Sequence, residues 1–209
     1  MSSQMNVSKP FTALSPSVDL DVLAVLAGSS EPRSGREIAR RAGRSKTGVQ
    51  HVLDRLVDHG LVDCLYSGRT RLYTLNRHHL LAGTVEQMAG ARTELIRRLR
   101  EQIGRWETPA IHASLFGSTA RGDGDAHSDI DLLIVRPVDV SAEDETWRRQ
   151  IDDLADYIRQ WTGNHAGIAE VSEADMRRQY SEGPPVLEQV RRDAIDLAGE
   201  PTKVLLADV

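Results

Sequence analysis

Little in this chain is aromatic, oxidisable or membrane-like. Only 4% of its 209 residues are aromatic, which argues against a stacking platform for single-stranded nucleic acid. A single cysteine, Cys64, leaves no internal disulfide to form and reads as a packing residue in a reducing compartment. No apolar run approaches the length of a membrane span. The first fifteen residues lack a basic start followed by a long apolar core, so no signal peptide is read. The expectation is a cytoplasmic protein with no membrane partner. With 40% hydrophobic and 27% charged residues, the rest is ordinary for a soluble globular chain long enough for two small domains.

Charge is divided unevenly. Residues 1–106 carry 16 Lys and Arg against 10 Asp and Glu, whereas residues 107–209 carry 10 against 21. A basic half joined to an acidic half suggests two jobs. Residues 1–15 read as a flexible arm. Three short helical patterns follow, over residues 18–27, 35–43 and 46–60, with Ser17 or Asp19, Ser34 and Ser45 as caps. Glu37 stands three residues after Ser34, as in a capping box, and Gly43 and Gly60 end the second and third patterns. Two β-rich runs, LVDCLY and RTRLYTLN, are joined by Ser67-Gly68, a hairpin signal.

Residues 16–77 thus resemble a winged helix-turn-helix domain, whose third helix enters the major groove of double-stranded DNA by its N-terminal end. On that resemblance Lys46, Thr47, Gln50 and His51 are candidates for base contacts, and Arg44, Arg69 and Arg71 for phosphate contacts. The alternative is a docking or dimerisation module, because charged helix faces are usually only solvated.

Residues 78–106 read as one long connecting helix. Leu81, Val85, Met88, Leu95, Leu99 and Trp106 fall near a heptad seam, interrupted by Arg92 and Gln102, and a homodimer is the expectation. His78-His79 are metal ligands by type, but adjacent helical residues face different ways, so they read as surface residues.

The chemistry lies in FGSTARGDGDAHSDIDLLIV, residues 116–135. In a strand Asp129 and Asp131 point to one face and Ile130 to the other. Two neighbouring carboxylates repel each other unless a cation sits between them, and hard oxygen ligands of this kind suit Mg²⁺ together with substrate phosphates. Gly117 lets backbone approach a ligand, and Ser118 adds a hydroxyl donor. A Ca²⁺ loop is rejected, because counting from Asp123 the Gly and Glu it requires are Ser128 and Ile134. An acidic loop before an ordinary strand explains Asp123 and Asp125, but not the pair beside Gly-Ser.

Residues 109–172 resemble the minimal nucleotidyltransferases of the DNA polymerase β-like superfamily. The resemblance rests on Gly117-Ser118, Ala120-Arg121-Gly122 and Ser128-Asp129-Ile130-Asp131. It implies an α/β (α+β) fold, with residues 107–209 forming a mixed sheet with helices. It further implies Mg²⁺ held by Asp129 and Asp131, a nucleoside triphosphate bound by Gly117 and Ser118, and transfer of its nucleoside monophosphate to a protein or tRNA acceptor, as in toxin–antitoxin pairs. Ser128 joins the nucleotide-binding set by the same resemblance. Arg121 is read equally as a phosphate ligand or as the partner of an acidic neighbour. His127 reads as a loop residue.

The family's third carboxylate sits on the strand that AGIAEVS would form, where Glu170 is the only acid. The commoner pattern puts Ala169 on the catalytic position and Glu170 on the other face, and a one-residue shift decides between them. The alternative function is a winged-helix transcriptional regulator whose nucleotidyltransferase-like domain is an inactive or nucleotide-sensing module.

Overall fold

The computed structural model describes residues 4–180 and 185–207. They divide into two compact units, one of Lys9–Ala91 and one of residues 4–8 together with residue 92 onward.

In the first unit, serine hydroxyls set the helix starts. Ser17 Oγ accepts from Leu20 N at the head of α1 (Val18–Ala27), Ser34 from Glu37 N at α2 (Gly35–Ala42), and Ser45 from Gly48 N at α3 (Lys46–Asp58). Gly43, at φ +63°, turns the chain out of α2. β1 (Arg33–Ser34), β2 (Val62–Ser67) and β3 (Thr70–Leu75) form an antiparallel sheet in the order β1-β3-β2, with Gly68 at φ +60° in the hairpin tip. Val22, Leu26, Ile38, Val49, Leu53, Leu56, Tyr73 and Leu75 fill the core between helices and sheet. This is the expected winged-helix arrangement.

Two expectations are corrected. The segment read as a flexible arm, residues 1–15, is structured from residue 4. Phe11, in a 3-10 turn (Pro10–Ala13), is buried in the first core, and Val7 is buried in the second. The single helix expected over 78–106 is two helices, α4 (Ala82–Ala89) and α5 (Ala91–Ile103), parted at Gly90. Its apolar residues are already used inside the chain. Val85 packs in the first core, Leu95, Leu99 and Trp106 in the second, and Leu81 is exposed. The apparent seam is therefore divided between the two cores.

The second unit holds a four-stranded mixed sheet of order β6-β5-β4-β7. β4 (His112–Phe116) pairs antiparallel with β5 (Ile130–Arg136) and with β7 (Ile195–Gly199), and β5 pairs in parallel with β6 (Ala166–Ser172). The parallel pair needs a crossover, which α7 (Glu145–Thr162) supplies. Asp144 caps α7 by accepting from Trp147 N.

α6 (Gly117–Arg121) follows β4, and α8 (Glu173–Tyr180), α9 (Pro185–Asp193) and α10 (Thr202–Leu205) complete the unit. Alternation along β5 feeds two cores. Ile130, Leu132 and Ile134 pack with α5 and with Trp147, Leu154 and Ile158 of α7, whereas Leu133 and Val135 pack with Met176, Leu187, Val190 and Leu206. Trp106 meets Trp147 edge to face at 5.5 Å. Among the described residues no helix is long and apolar enough to cross a membrane.

His112 is fully buried in β4. Its Nδ1 lies 2.6 Å from the Glu200 carbonyl and so carries the proton, and its Nε2 lies 2.8 Å from Ser114 Oγ. Burial holds the imidazole below its ordinary value. The unfolded chain therefore binds this proton first. Stability from His112 is complete above the unfolded value of about 6.5 and is lost as pH falls towards the folded value. We expect the thermal stability of wild type and of His112→Gln to converge as pH falls from about 7 to about 5; scanning calorimetry across that range checks it.

Candidate functional site

Asp129 and Asp131 stand at the entrance of β5. Asp129 is exposed and immediately precedes the strand, and Asp131 is half-buried as its second residue. In register, Asp131 lies opposite Phe116 on one side and Gly167 on the other. Both neighbouring backbones come close. A Cβ on Gly117 would fall 2.5 Å from Asp131 Oδ2, and one on Gly167 would fall 2.8 Å from Oδ1. Gly117 also has φ +71°, which favours glycine. The carboxylate thus lies in a slot that two missing side chains create.

Electrostatics mark the same atom. Burial, then the Asp129 charge, pushes the Asp131 carboxyl above the ordinary carboxylate range, with Arg121 opposing. A divalent cation between the two carboxylates relieves both causes. Among the described residues no group of three or more His, Cys, Asp or Glu gathers to hold a metal. The donor set is therefore two carboxylates, the number Mg²⁺ takes when substrate phosphates and water complete its shell.

The loop between β4 and β5 is braced from within. The Ser118 carbonyl accepts from Gly122 N and Asp123 N. Asp125 accepts from His127 N at 2.8 Å, while Ser128 Oγ accepts from Asp125 N at 2.9 Å. The Ser128 hydroxyl is thus turned into the loop. Arg121 is held by Asp123 at 3.0 Å and by Asp193 at 2.7 Å, so the acidic-partner reading is the one realised. His127 is a loop residue, with its ring 3.2 Å from Gln4 Oε1.

Glu170 is not beside the pair. It sits opposite Ile134 in the parallel register and shares that residue's face. Its Oε1 accepts from Arg136 Nε and from the Trp147 indole, each at 2.9 Å. A fully buried indole N–H needs an acceptor, and Glu170 supplies it. The positions of β6 on the Asp131 face are Gly167, Ala169 and Val171. The carboxylate expected at Glu170 as a third member of the site is therefore absent from that face.

The profile of the nucleotidyltransferase domain family matches residues 95–201, from α5 to the last helix. The chain belongs to that family. The MarR family profile matches residues 14–64, which span α1 to α3 and enter β2. No curated protein matches the chain. Among solved structures, a predicted DNA-binding transcriptional regulator from E. coli is 25% identical over 36% of this chain and 74% of its own, with a TM-score of 0.30. A MarR-family transcriptional regulator from Rhodococcus sp. RHA1 is 22% identical over 49% of this chain and 72% of its own, with a TM-score of 0.31.

In the MarR-like domain the seven candidate DNA residues separate into two groups. Lys46, Thr47 and His51 are exposed at the N-terminal end of α3, and Arg69 is exposed at the hairpin tip. The other three are engaged. Arg44 pairs with Asp21 at 2.6 Å, and Gln50 donates to Asp54 and to Tyr73 Oη, both at 2.9 Å. Arg71 pairs with Asp54 at 2.8 Å and lies over the Tyr73 ring at 5.3 Å. Gln50 and Arg71 thus brace α3 against β3, and Arg44 ties the turn before α3 to α1.

Three residues of the nucleotidyltransferase domain went unread. Gly167 had a signal, because a lone glycine in a strand marks a close approach. Arg92 shows in the sequence only as a break in the heptad seam, and Asn164 carries no signal of its hydrogen bonds.

Two outcomes follow. In Gly167→Ala the added methyl meets only the movable end of a short side chain, so the domain folds but the Asp131 carboxylate is displaced. Nucleotide binding in Mg²⁺ should weaken at least tenfold, the scale for disturbing a metal's supporting groups, with melting temperature nearly unchanged. Lys46→Ala with Arg69→Ala should weaken duplex DNA binding and lower the slope of log affinity against log salt by about 2. A wild type with no salt-sensitive duplex binding would make this domain a docking module.

Proposed function

We propose that the chain is a DNA-binding regulator whose nucleotidyltransferase domain takes up a Mg²⁺-bound nucleoside triphosphate at Asp129 and Asp131. There it transfers the nucleoside monophosphate to a protein or RNA acceptor. The observation that carries the reading is the slot between Gly117 and Gly167, which holds Asp131 beside Asp129. A half-buried carboxylate pushed above its ordinary range, with a second carboxylate beside it, favours a bound cation. The MarR-like domain, which fits a DNA partner, supports a cytoplasmic setting.

In the reaction the acceptor hydroxyl oxygen bonds to the α-phosphorus, the bond from that phosphorus to the β-bridging oxygen breaks, and pyrophosphate leaves. The cation, when bound, neutralises the triphosphate and aligns the attacking oxygen. Gly117 and Ser118 border the triphosphate, and Asp129 and Asp131 fix its position. The hydroxyl proton passes to solvent, because β6 offers Gly167, Ala169 and Val171 on that face and no carboxylate.

The same gap favours a second reading, a regulator whose domain binds the nucleotide as a signal without transferring it. Incubation with each α-labelled triphosphate, Mg²⁺ and a lysate of the source cells separates the two. Label on a protein or RNA band with wild type, and none with Asp129→Asn combined with Asp131→Asn, is the expected result. Glu170→Gln should transfer label like wild type. Nucleotide binding without any labelled band would leave the sensor.

A further inference from the structure

The loops that frame the nucleotide site are each held by one side chain from elsewhere. Asn164 is 1% exposed and follows α7. Its Nδ2 donates to the Ser128 carbonyl at 2.9 Å, on the residue just before Asp129. Its Oδ1 accepts from Met5 N at 3.0 Å, and its own N–H donates to Thr162 Oγ1 at 3.0 Å. The flanking N–H and carbonyl fix which end of the amide points where. Ile130 N donates to the His165 carbonyl at 2.9 Å, so both sides of Asp129 are tied to the turn that carries Asn164.

Arg92 holds the other loop. Its Nε donates to the Thr119 carbonyl at 2.7 Å, and Nη2 donates to the Ala120 carbonyl. These carbonyls end α6, the turn that begins with Gly117 and Ser118. A guanidinium fork is suited to two adjacent carbonyls, and its positive charge stands at the end of α6 where carbonyls lack helical partners. Met5 and Arg92 also flank the two places, 8–9 and 91–92, where the chain passes between its units.

We propose that Asn164 and Arg92 are positioning residues for the nucleotide site, Asn164 setting the Asp129 end and Arg92 setting the Gly117-Ser118 turn. The proposal rests on the nucleotide-binding reading given above. The two act on different parts of the ligand, so their variants separate. Asn164→Asp keeps an acceptor for Met5 but cannot donate to the Ser128 carbonyl. It should raise the Mg²⁺ concentration for half-maximal nucleotide binding about tenfold, the scale for losing a group that orients a metal ligand. Arg92→Gln should leave that Mg²⁺ requirement unchanged and weaken triphosphate affinity at saturating Mg²⁺ about tenfold, the scale for losing a group that supports a binding loop.

The experiment is calorimetric titration of the full chain with each of the four ribonucleoside triphosphates over a Mg²⁺ series, with melting temperature recorded alongside. A purely structural role would lower melting temperature without this split. If Asn164→Asp does not fold, Met5→Pro removes the N–H that Asn164 accepts and leaves Asn164 in place, and a raised Mg²⁺ requirement is again expected. Folded variants that bind as wild type does would overturn the positioning roles. A wild type that binds none of the four would instead overturn the nucleotide-binding reading itself.

Discussion

Two like charges at the mouth of an apolar strand cannot be left close together without help, and the second unit is arranged around that constraint. β5 is buried on both faces beyond Asp131, so the strand cannot slide to carry the carboxylate outward without exposing Leu132 to Val135. The flanking backbones give Asp131 room but little else. Gly117 and Gly167 contribute no side chain, and among the described residues the carboxylate has no hydrogen bond. Its charge is opposed by burial and by Asp129, with only Arg121 acting the other way. A site built to stabilise a carboxylate by itself would surround it with donors, whereas this one leaves space for a ligand that brings positive charge.

What was legible in the sequence was what local chemistry decides. Ser17, Ser34 and Ser45 each cap the helix they precede, and Gly68 turns the hairpin. Asp129 and Asp131 share a face because side chains alternate along any strand, whatever surrounds it. Glu170 was not decidable in this way. Its face depends on the register of β6 against β5, which is set by packing of Ile168 against one core and Ala169 and Val171 against the other. The Trp147 indole, more than twenty residues away, is what gives Glu170 its use.

The long helix expected over residues 78–106 failed for a related reason. Heptad spacing registers apolar residues at the right intervals and says nothing about which core receives them. Val85 and Leu95 are ten residues apart in one apparent seam, yet they pack in different cores. Gly90 at the break and Arg92 just after it were the local signs. Arg92 stands where the seam required an apolar residue because it serves the turn after β4 instead. The first residues are equally opaque, because Met5 is held through its backbone N–H by Thr162 and Asn164, and a backbone donor leaves no mark on composition.

The gap on β6 and the slot around Asp131 bear differently on the chemistry. A general base contributes rate, and its loss leaves ground-state binding intact. On the proposed reading, the slot governs whether cation and triphosphate are held at all. Gly167 lies on β6 two residues before Ala169, and strand alternation puts both on the carboxylate face. One strand therefore lacks the acid that would take a proton and still carries the glycine that leaves room for the Asp131 carboxylate. Binding is the function this arrangement favours first. Transfer then depends on an acceptor whose hydroxyl needs little assistance, or on one that brings its own base.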